Sequence, residues 1–173
     1  MWLQYETLYI YITDSIVSQV NSFKDLACFD LDWTLVRPQS SKFPRNSQDN
    51  VIMENRVKKL KDLISTGYTI VIYTNQKVNK REPLQSKINR IKDVAAKFEK
   101  EGIPFVLLMA TEEDKYRKPN KGMWDYTLLL MPLIKSGFYC GDAAGRPKDF
   151  SDSDLNFAKN IGLSFHLPED MFK

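Results

Sequence analysis

A parallel α/β sheet with helices on its flanks is the fold this chain predicts, and three observations predict it. Short apolar runs recur at Leu26-Ala27-Cys28-Phe29, Tyr68–Tyr73, Pro104–Met109 and Gly137–Cys140. Between them lie segments with apolar residues at helical spacing. Gly67, Gly102 and Gly162 fall where those helices should close. Such alternation builds a parallel sheet with right-handed crossovers. At 173 residues the chain fits one domain with a substantial core, divided here into an N-terminal strand pair (1–22), an α/β core (26–167) and a C-terminal tail (168–173). No large cap domain is expected.

In chain order, Leu8–Ile12 alternates aromatic and β-branched residues, and Ser15–Val20 follows after Thr13-Asp14. Together they predict a strand pair, a hairpin at the sheet edge. The strand ending at Asp30 comes next, then a polar loop over 37–50 whose one apolar point is Phe43-Pro44. Met53, Val57, Leu60 and Ile64 predict a helix over 51–66. The β-rich run Tyr68–Tyr73 leads into Thr74-Asn75-Gln76. Ile88, Ile91, Ala95 and Phe98 mark a second helix, and Phe105–Met109 a third core strand. A helix over 121–130, a strand reaching Gly141-Asp142, a helix from about 151 to 160 and a short strand at 164–167 complete the chain.

Composition excludes little. Hydrophobic residues make 43% and charged residues 27%, ordinary for a globular protein, and the net charge of +3 says little about partners. The longest apolar run, Leu128–Ile134, is too short to span a bilayer. The N-terminus lacks the basic and apolar regions of a signal peptide. Two cysteines and no export signal lead us to expect reduced thiols inside a cell.

The chemistry lies at the strand ends. Asp30 and Asp32 are two residues apart, which places both on one face of an extended chain. Acids at the carboxyl end of a parallel strand sit where α/β proteins keep their ligands. An Asp-rich turn with the acids as caps fits this pattern equally well. What shifts the balance is the succession: Thr74 and Asn75 end the second strand, Arg117-Lys118-Pro119 follows the third, and Asp142 ends the fourth. In a parallel sheet these groups share one edge.

The order of these blocks resembles the haloacid dehalogenase-like phosphotransferases, whose sheet is Rossmann-like. Within them the chain is similar to the 3'-phosphatase domain of polynucleotide kinase 3'-phosphatases. Tyr73-Thr74-Asn75-Gln76, Arg117-Lys118-Pro119 with Gly122-Met123-Trp124-Asp125, and Gly141-Asp142-Ala143-Ala144-Gly145-Arg146-Pro147 carry the narrower likeness. Asp149-Phe150-Ser151 with Asp154, the ending Pro168–Phe172 and the opening Leu8–Tyr11 extend it over nearly the whole chain.

The resemblance implies phosphomonoester hydrolysis through an aspartyl-phosphate, with Asp30 as nucleophile. Asp32 would protonate the leaving sugar oxygen and then deprotonate water. Mg²⁺ would be held by the Asp30 and Asp142 carboxylates and the Asp32 carbonyl. Thr74 would donate to the phosphate beside the Asn75 backbone, Lys118 would offset negative charge, and Thr34 would orient the first loop against the substrate. Three departures stand out. Trp33 occupies a position usually glycine in DxDGT. If that turn stays extended, Trp33 points away from the acid face, either packing, covering the site or stacking on a base. Lys77-Val78-Asn79-Lys80-Arg81 replaces a glycine-containing stretch, and the loop at Arg146-Pro147-Lys148 is short.

Charge bears on the substrate. Between Lys77 and Lys100 stand eight Lys/Arg against three acids. Such a run can hold nucleic-acid phosphates, and it can equally be a solvated helix face. Lys87, Lys97 and Lys100 fit the solvated face. Lys77, Lys80, Arg81 and Arg117, nearer the strand ends, are the candidates for DNA contact, with Arg146 beside them. Nothing reads base edges, so binding should be indifferent to sequence. No GxxxxGK[ST] occurs, so no 5'-kinase is expected. Cys28 and Cys140 lie in core strands and form no zinc loop, and His166 is structural. The expectation is a monomeric, Mg²⁺-dependent phosphatase that leaves a 3'-hydroxyl on DNA ends for a polymerase or ligase. A small-molecule phosphatase and a catalytically dead end-binding module are the alternatives.

Overall fold

The computed structural model describes residues 1–19 and 21–173. In order the elements are β1 (Trp2–Tyr5), β2 (Leu8–Ile12), α1 (Asp14–Val17), β3 (Lys24–Phe29), β4 (Val36–Arg37), β5 (Val51–Ile52) and α2 (Arg56–Ser65). There follow β6 (Tyr68–Asn75), α3 (Leu84–Lys100), β7 (Phe105–Ala110), α4 (Gly122–Leu130), β8 (Ile134–Cys140), α5 (Ser153–Ile161), β9 (Ser164–His166) and α6 (Pro168–Met171).

The main sheet has seven strands in the order β1-β2-β7-β6-β3-β8-β9. From β7 to β9 every pairing is parallel, while β1 and β2 join as antiparallel strands at one edge. The chain leaves β3 for β6 and β7 on one side, then returns past β3 to β8 and β9 on the other. That reversal opens a crevice at the carboxyl ends of β3 and β8, where open α/β sheets bind ligands.

Alternation along the strands feeds two cores. Ala27, Phe29, Ile70, Ile72, Phe105 and Leu107 face α2 and α3, where they meet Leu60, Ile91, Val94 and Phe98. Leu26, Cys28, Val71, Tyr73, Val106 and Leu108 face the opposite layer, where Met123, Trp124, Phe157 and Ala158 of α4 and α5 pack. Burial on both faces explains why these strands read as continuous apolar runs.

Three expectations from sequence are corrected. The N-terminal hairpin pairs Trp2–Tyr5 with Leu8–Ile12. Residues 14–17 form one helical turn rather than a second strand, and Val20 lies outside the described residues. Both edges of β2 are already taken by β1 and β7, so Ser15–Val17 cannot pair with β2 as expected. The helix expected over 51–66 begins at Arg56, because Val51-Ile52 instead pairs with Val36-Arg37. The C-terminal tail, residues 168–173, carries α6 and packs against the sheet. Phe172 is 5% exposed, its ring lying 5.8 Å from that of Phe29 with the Arg56 guanidinium 4.2 Å above it. Finally, Lys87 is no solvated residue: it is buried and paired with Glu82 at 2.9 Å.

Candidate active site

Asp30 is the first residue past β3, and its N–H donates to the Cys140 carbonyl of β8 at 2.9 Å. The sheet therefore delivers its carboxylate into the crevice. The chain turns back at once: the Thr34, Leu35 and Val36 N–H groups all donate to the Leu31 carbonyl. This tight turn buries Thr34, whose Oγ1 donates to Asp30 Oδ2 at 3.2 Å. Trp33 sits at the turn's outer corner with φ +62° and 40% exposure. The extended geometry supposed from sequence is thus corrected, because only a left-handed residue lets the chain close the turn here.

Lys118 comes from the loop before α4 and is 3% exposed. Its Nζ donates to Asp30 Oδ1 at 2.7 Å, Asp154 Oδ1 at 2.8 Å and the Tyr139 hydroxyl at 2.9 Å. Asn75 fixes the Lys118 backbone from both sides: its Oδ1 accepts from the Lys118 N–H at 2.9 Å and its Nδ2 donates to the Lys118 carbonyl at 3.1 Å. The Asn75 side chain is therefore spent on holding Lys118. Asp154, in the first turn of α5, also accepts from the Ala143 N–H at 3.0 Å. A Cβ on Gly141 would stand 2.4 Å from the Asp154 carboxyl carbon, so only glycine lets that acid approach.

Burial, then repulsion from Asp154, pushes the Asp30 carboxyl well above its ordinary range despite Lys118. The same two causes raise Asp142 to about 6. Burial alone would discharge Lys118, but Asp154 and Asp30 outweigh it and hold the ammonium charged. Carboxylate oxygens of Asp30, Asp142 and Asp154 lie within 4.8 Å of one another. Three hard oxygen donors in excess over one ammonium suit a divalent cation. The Asp154 carboxylate already accepts from Lys118, Tyr139 and Ala143, whereas each Asp30 oxygen accepts once, from Lys118 or Thr34, so Asp30 and Asp142 keep more lone pairs for a cation.

Asp32 stands apart from that trio. Its side chain is 37% exposed and is gripped from α3 by the Arg90 guanidinium through both oxygens, with the Gln76 amide donating to Oδ2 at 2.8 Å. Desolvation works against its charge, yet Arg90 and then Gln76 prevail and hold the carboxyl below its usual range. Arg90 is itself braced by the Asn50 amide oxygen at 2.8 Å. Gln76 also donates to Thr74 Oγ1 at 2.8 Å, which leaves the hydroxyl proton of Thr74 free for a ligand.

Among the basic candidates, Lys77 pairs with Glu113 at 2.8 Å on the surface. Lys80 and Arg81 are exposed and Arg117 half-buried, and none of the three forms a salt bridge among the described residues. Arg146 is turned inward. It binds Asp149 at 2.8 Å, Glu169, and the Asp142 carbonyl at 3.1 Å, so it props the Asp142 loop rather than standing free for a substrate.

Sequence reasoning gave Arg90, Asp154, Gln76 and Tyr139 no role. A signal existed for Arg90. It lies one turn ahead of Val94 on the inward face of α3 that continues to Phe98, and a cation on an inward helix face requires an anion. Asp154 enters the sequence reading only as part of the family likeness, with no role given to it.

The family model described as "Polynucleotide kinase 3 phosphatase" matches residues 25–172. A bifunctional polynucleotide phosphatase/kinase of Schizosaccharomyces pombe is 38% identical over 93% of this chain, which spans only 41% of that relative's length. A polynucleotide 3'-phosphatase of Saccharomyces mikatae is 30% identical, with 84% of this chain and 83% of the relative covered. Among solved structures, D,D-heptose 1,7-bisphosphate phosphatase from B. bronchiseptica, in complex with magnesium and phosphate, superposes with a TM-score of 0.65. At 18% identity over 83% of this chain and 79% of that one, the likeness is one of fold.

Proposed function

Because this chain belongs to the polynucleotide kinase 3 phosphatase family, we propose that it is a polynucleotide 3'-phosphatase acting on DNA ends. The observation that carries the chemistry is the placement of Asp30. One carboxylate oxygen is held by Lys118 and the other by Thr34, at the mouth of the β3–β8 crevice with Asp142 alongside.

In this reading Asp30 attacks phosphorus, the bond to the sugar oxygen breaks, and an aspartyl-phosphate forms. The resting site favours ionised Asp32, the form that deprotonates the water of the second step. For the first step Asp32 must carry a proton to the departing oxygen, and an arriving phosphate raises its affinity for one by adding negative charge nearby. Thr74 donates to a phosphate oxygen, and Lys118 stabilises the negative charge on Asp30 and the phosphoryl group. Asp30 and Asp142 would hold Mg²⁺, with the Asp32 carbonyl as a third ligand. When bound, the metal neutralises charge so that an anionic nucleophile can approach an anionic ester. Lys80, Arg81 and Arg117 remain the candidates for contacting the DNA backbone. The product 3'-hydroxyl is the substrate that a polymerase or ligase requires. These residues contain no P-loop, so 5'-phosphorylation is not expected of them.

The test is Mg²⁺-dependent phosphate release from a 3'-phosphorylated DNA oligonucleotide beside its 5'-phosphorylated twin. Release from the 3' end, with the 5' twin slower by roughly 10³-fold or more, is expected, since misplacing the reacting ester forfeits orientation. Equal turnover of both, or turnover of small sugar phosphates alone, would reject the assignment.

The acid cluster makes a second prediction. In the metal-free protein Asp142 keeps its proton to about 6, whereas an unfolded Asp releases it near pH 4. Across that window the folded state binds more protons, so stability falls as pH rises. Saturating Mg²⁺ should raise Tm by about 3–6 °C at pH 7.5 and by far less at pH 5. Differential scanning calorimetry at the two pH values checks this, and equal shifts at both would contradict it. Asp142→Asn should remove most of the increment.

A further inference from the structure

Within the turn from Leu31 to Leu35, four of the five residues are already committed. Leu31, Thr34 and Leu35 are fully buried, and Asp32 is bound to Arg90 and Gln76. Trp33 is the exception. Its N–H closes the turn on the Val36 carbonyl at 2.7 Å, while its side chain is 40% exposed and its ring pairs with no other aromatic ring among the described residues. Its φ of +62° is one that glycine adopts freely and that a bulky side chain rarely adopts. A large aromatic held in that conformation with two-fifths of its surface open to solvent is an outlier of the kind that clusters at ligand clamps.

Its neighbours indicate the ligand. Trp33 directly follows Asp32, the group placed here against the departing sugar oxygen. On the α3 side, Asp32 contacts Arg90, and the exposed cations Lys80 and Arg81 lie just ahead of that helix. Proteins hold single-stranded nucleic acid by combining exposed aromatic faces with cations that track the backbone, because every base offers a stacking face.

We propose that Trp33 stacks on the nucleobase of the 3'-terminal nucleotide, the one that bears the phosphate. It is a specificity-determining residue that makes the site prefer a nucleotide end to a bare sugar phosphate. The proposal rests on the phosphatase reading for the position of the leaving sugar. The stack is indifferent to which base is present, and it is absent when the terminal nucleotide has lost its base.

The experiment compares kcat/KM for two 3'-phosphorylated oligonucleotides, one complete and one whose last nucleotide is abasic. Wild type should favour the complete end by roughly 10- to 100-fold. Trp33→Gly should bring that ratio close to one, and Trp33→Phe should keep most of it. Glycine is chosen because it adopts the left-handed turn without strain, so the variant should fold. An unchanged ratio in Trp33→Gly would overturn the proposal. A second measurement separates it from the phosphatase reading: 2-aminopurine at the 3' terminus, bound with Mg²⁺ to Asp30→Asn. Quenching that disappears in Asp30→Asn/Trp33→Gly supports the stack even if no oligonucleotide is hydrolysed, in which case only the assigned reaction fails. Hydrolysis of the 3'-phosphate with quenching independent of Trp33 leaves the reaction standing and rejects the stack.

Discussion

Asp30→Asn should abolish phosphate release from a 3'-phosphorylated oligonucleotide, with kcat falling by roughly 10⁴-fold or more, as expected when a covalent nucleophile is removed. The substitution keeps the shape of the side chain: the amide oxygen can still accept from Lys118, while its NH2 can donate to the Thr34 hydroxyl oxygen. Loss of activity therefore reports chemistry rather than misfolding. Because Asp30 is one of several like charges crowded together, its neutral replacement should also leave the metal-free protein as stable as wild type or more so. A single-turnover assay and a thermal melt on one preparation test both halves. Residual activity within tenfold of wild type would move the nucleophile elsewhere. Full loss accompanied by a large fall in Tm would point to a structural role instead.

Lys118→Ala should produce the largest loss of stability among single substitutions at the site. The ammonium is enclosed by Asp30, Asp154 and the Tyr139 hydroxyl. Removing it leaves two buried carboxylates facing each other without a cation, and breaking a buried ion pair from one side typically costs about 3–5 kcal/mol. For a chain of this size that corresponds to a fall in Tm on the order of 6–20 °C. The loss should shrink towards pH 5, where Asp30, already held well above its ordinary range, can take up a proton, and should be partly restored by Mg²⁺ binding beside it. Melts at pH 5 and pH 8 with and without Mg²⁺ decide the matter. A loss independent of pH would show that packing, not charge, dominates. Lys118→Met, which keeps an unbranched chain but no charge, should behave like Lys118→Ala, since what the pocket lacks is a cation.

Much of this site was legible before any coordinates. Asp30, Thr74, Lys118 and Asp142 stand out because each follows or ends an apolar strand, and parallel strands share their carboxyl edge. The helices α3 and α5 were legible for the same kind of reason, since their apolar spacing runs unbroken to a closing glycine. Short elements were misread where pairing partners decided the outcome. Val51-Ile52 became a strand only because Val36-Arg37 turned back to meet it, and residues 14–17 could not pair with β2, whose two edges are taken by β1 and β7.

The residues themselves determined the inventory of chemistry: a DxDxT strand end, a threonine, a lysine and a distant aspartate, in an order compatible with one sheet. Tertiary structure alone decided how their charges are balanced. Arg90 reaches Asp32 across 58 positions and Asp154 reaches Lys118 across 36, each pair created by the face a helix turns towards the sheet. A buried charge must find its counterpart in space, and spacing along the chain carries no record of which one it finds. The same holds for Trp33, whose ring is left exposed by a turn that only the surrounding hydrogen bonds could close.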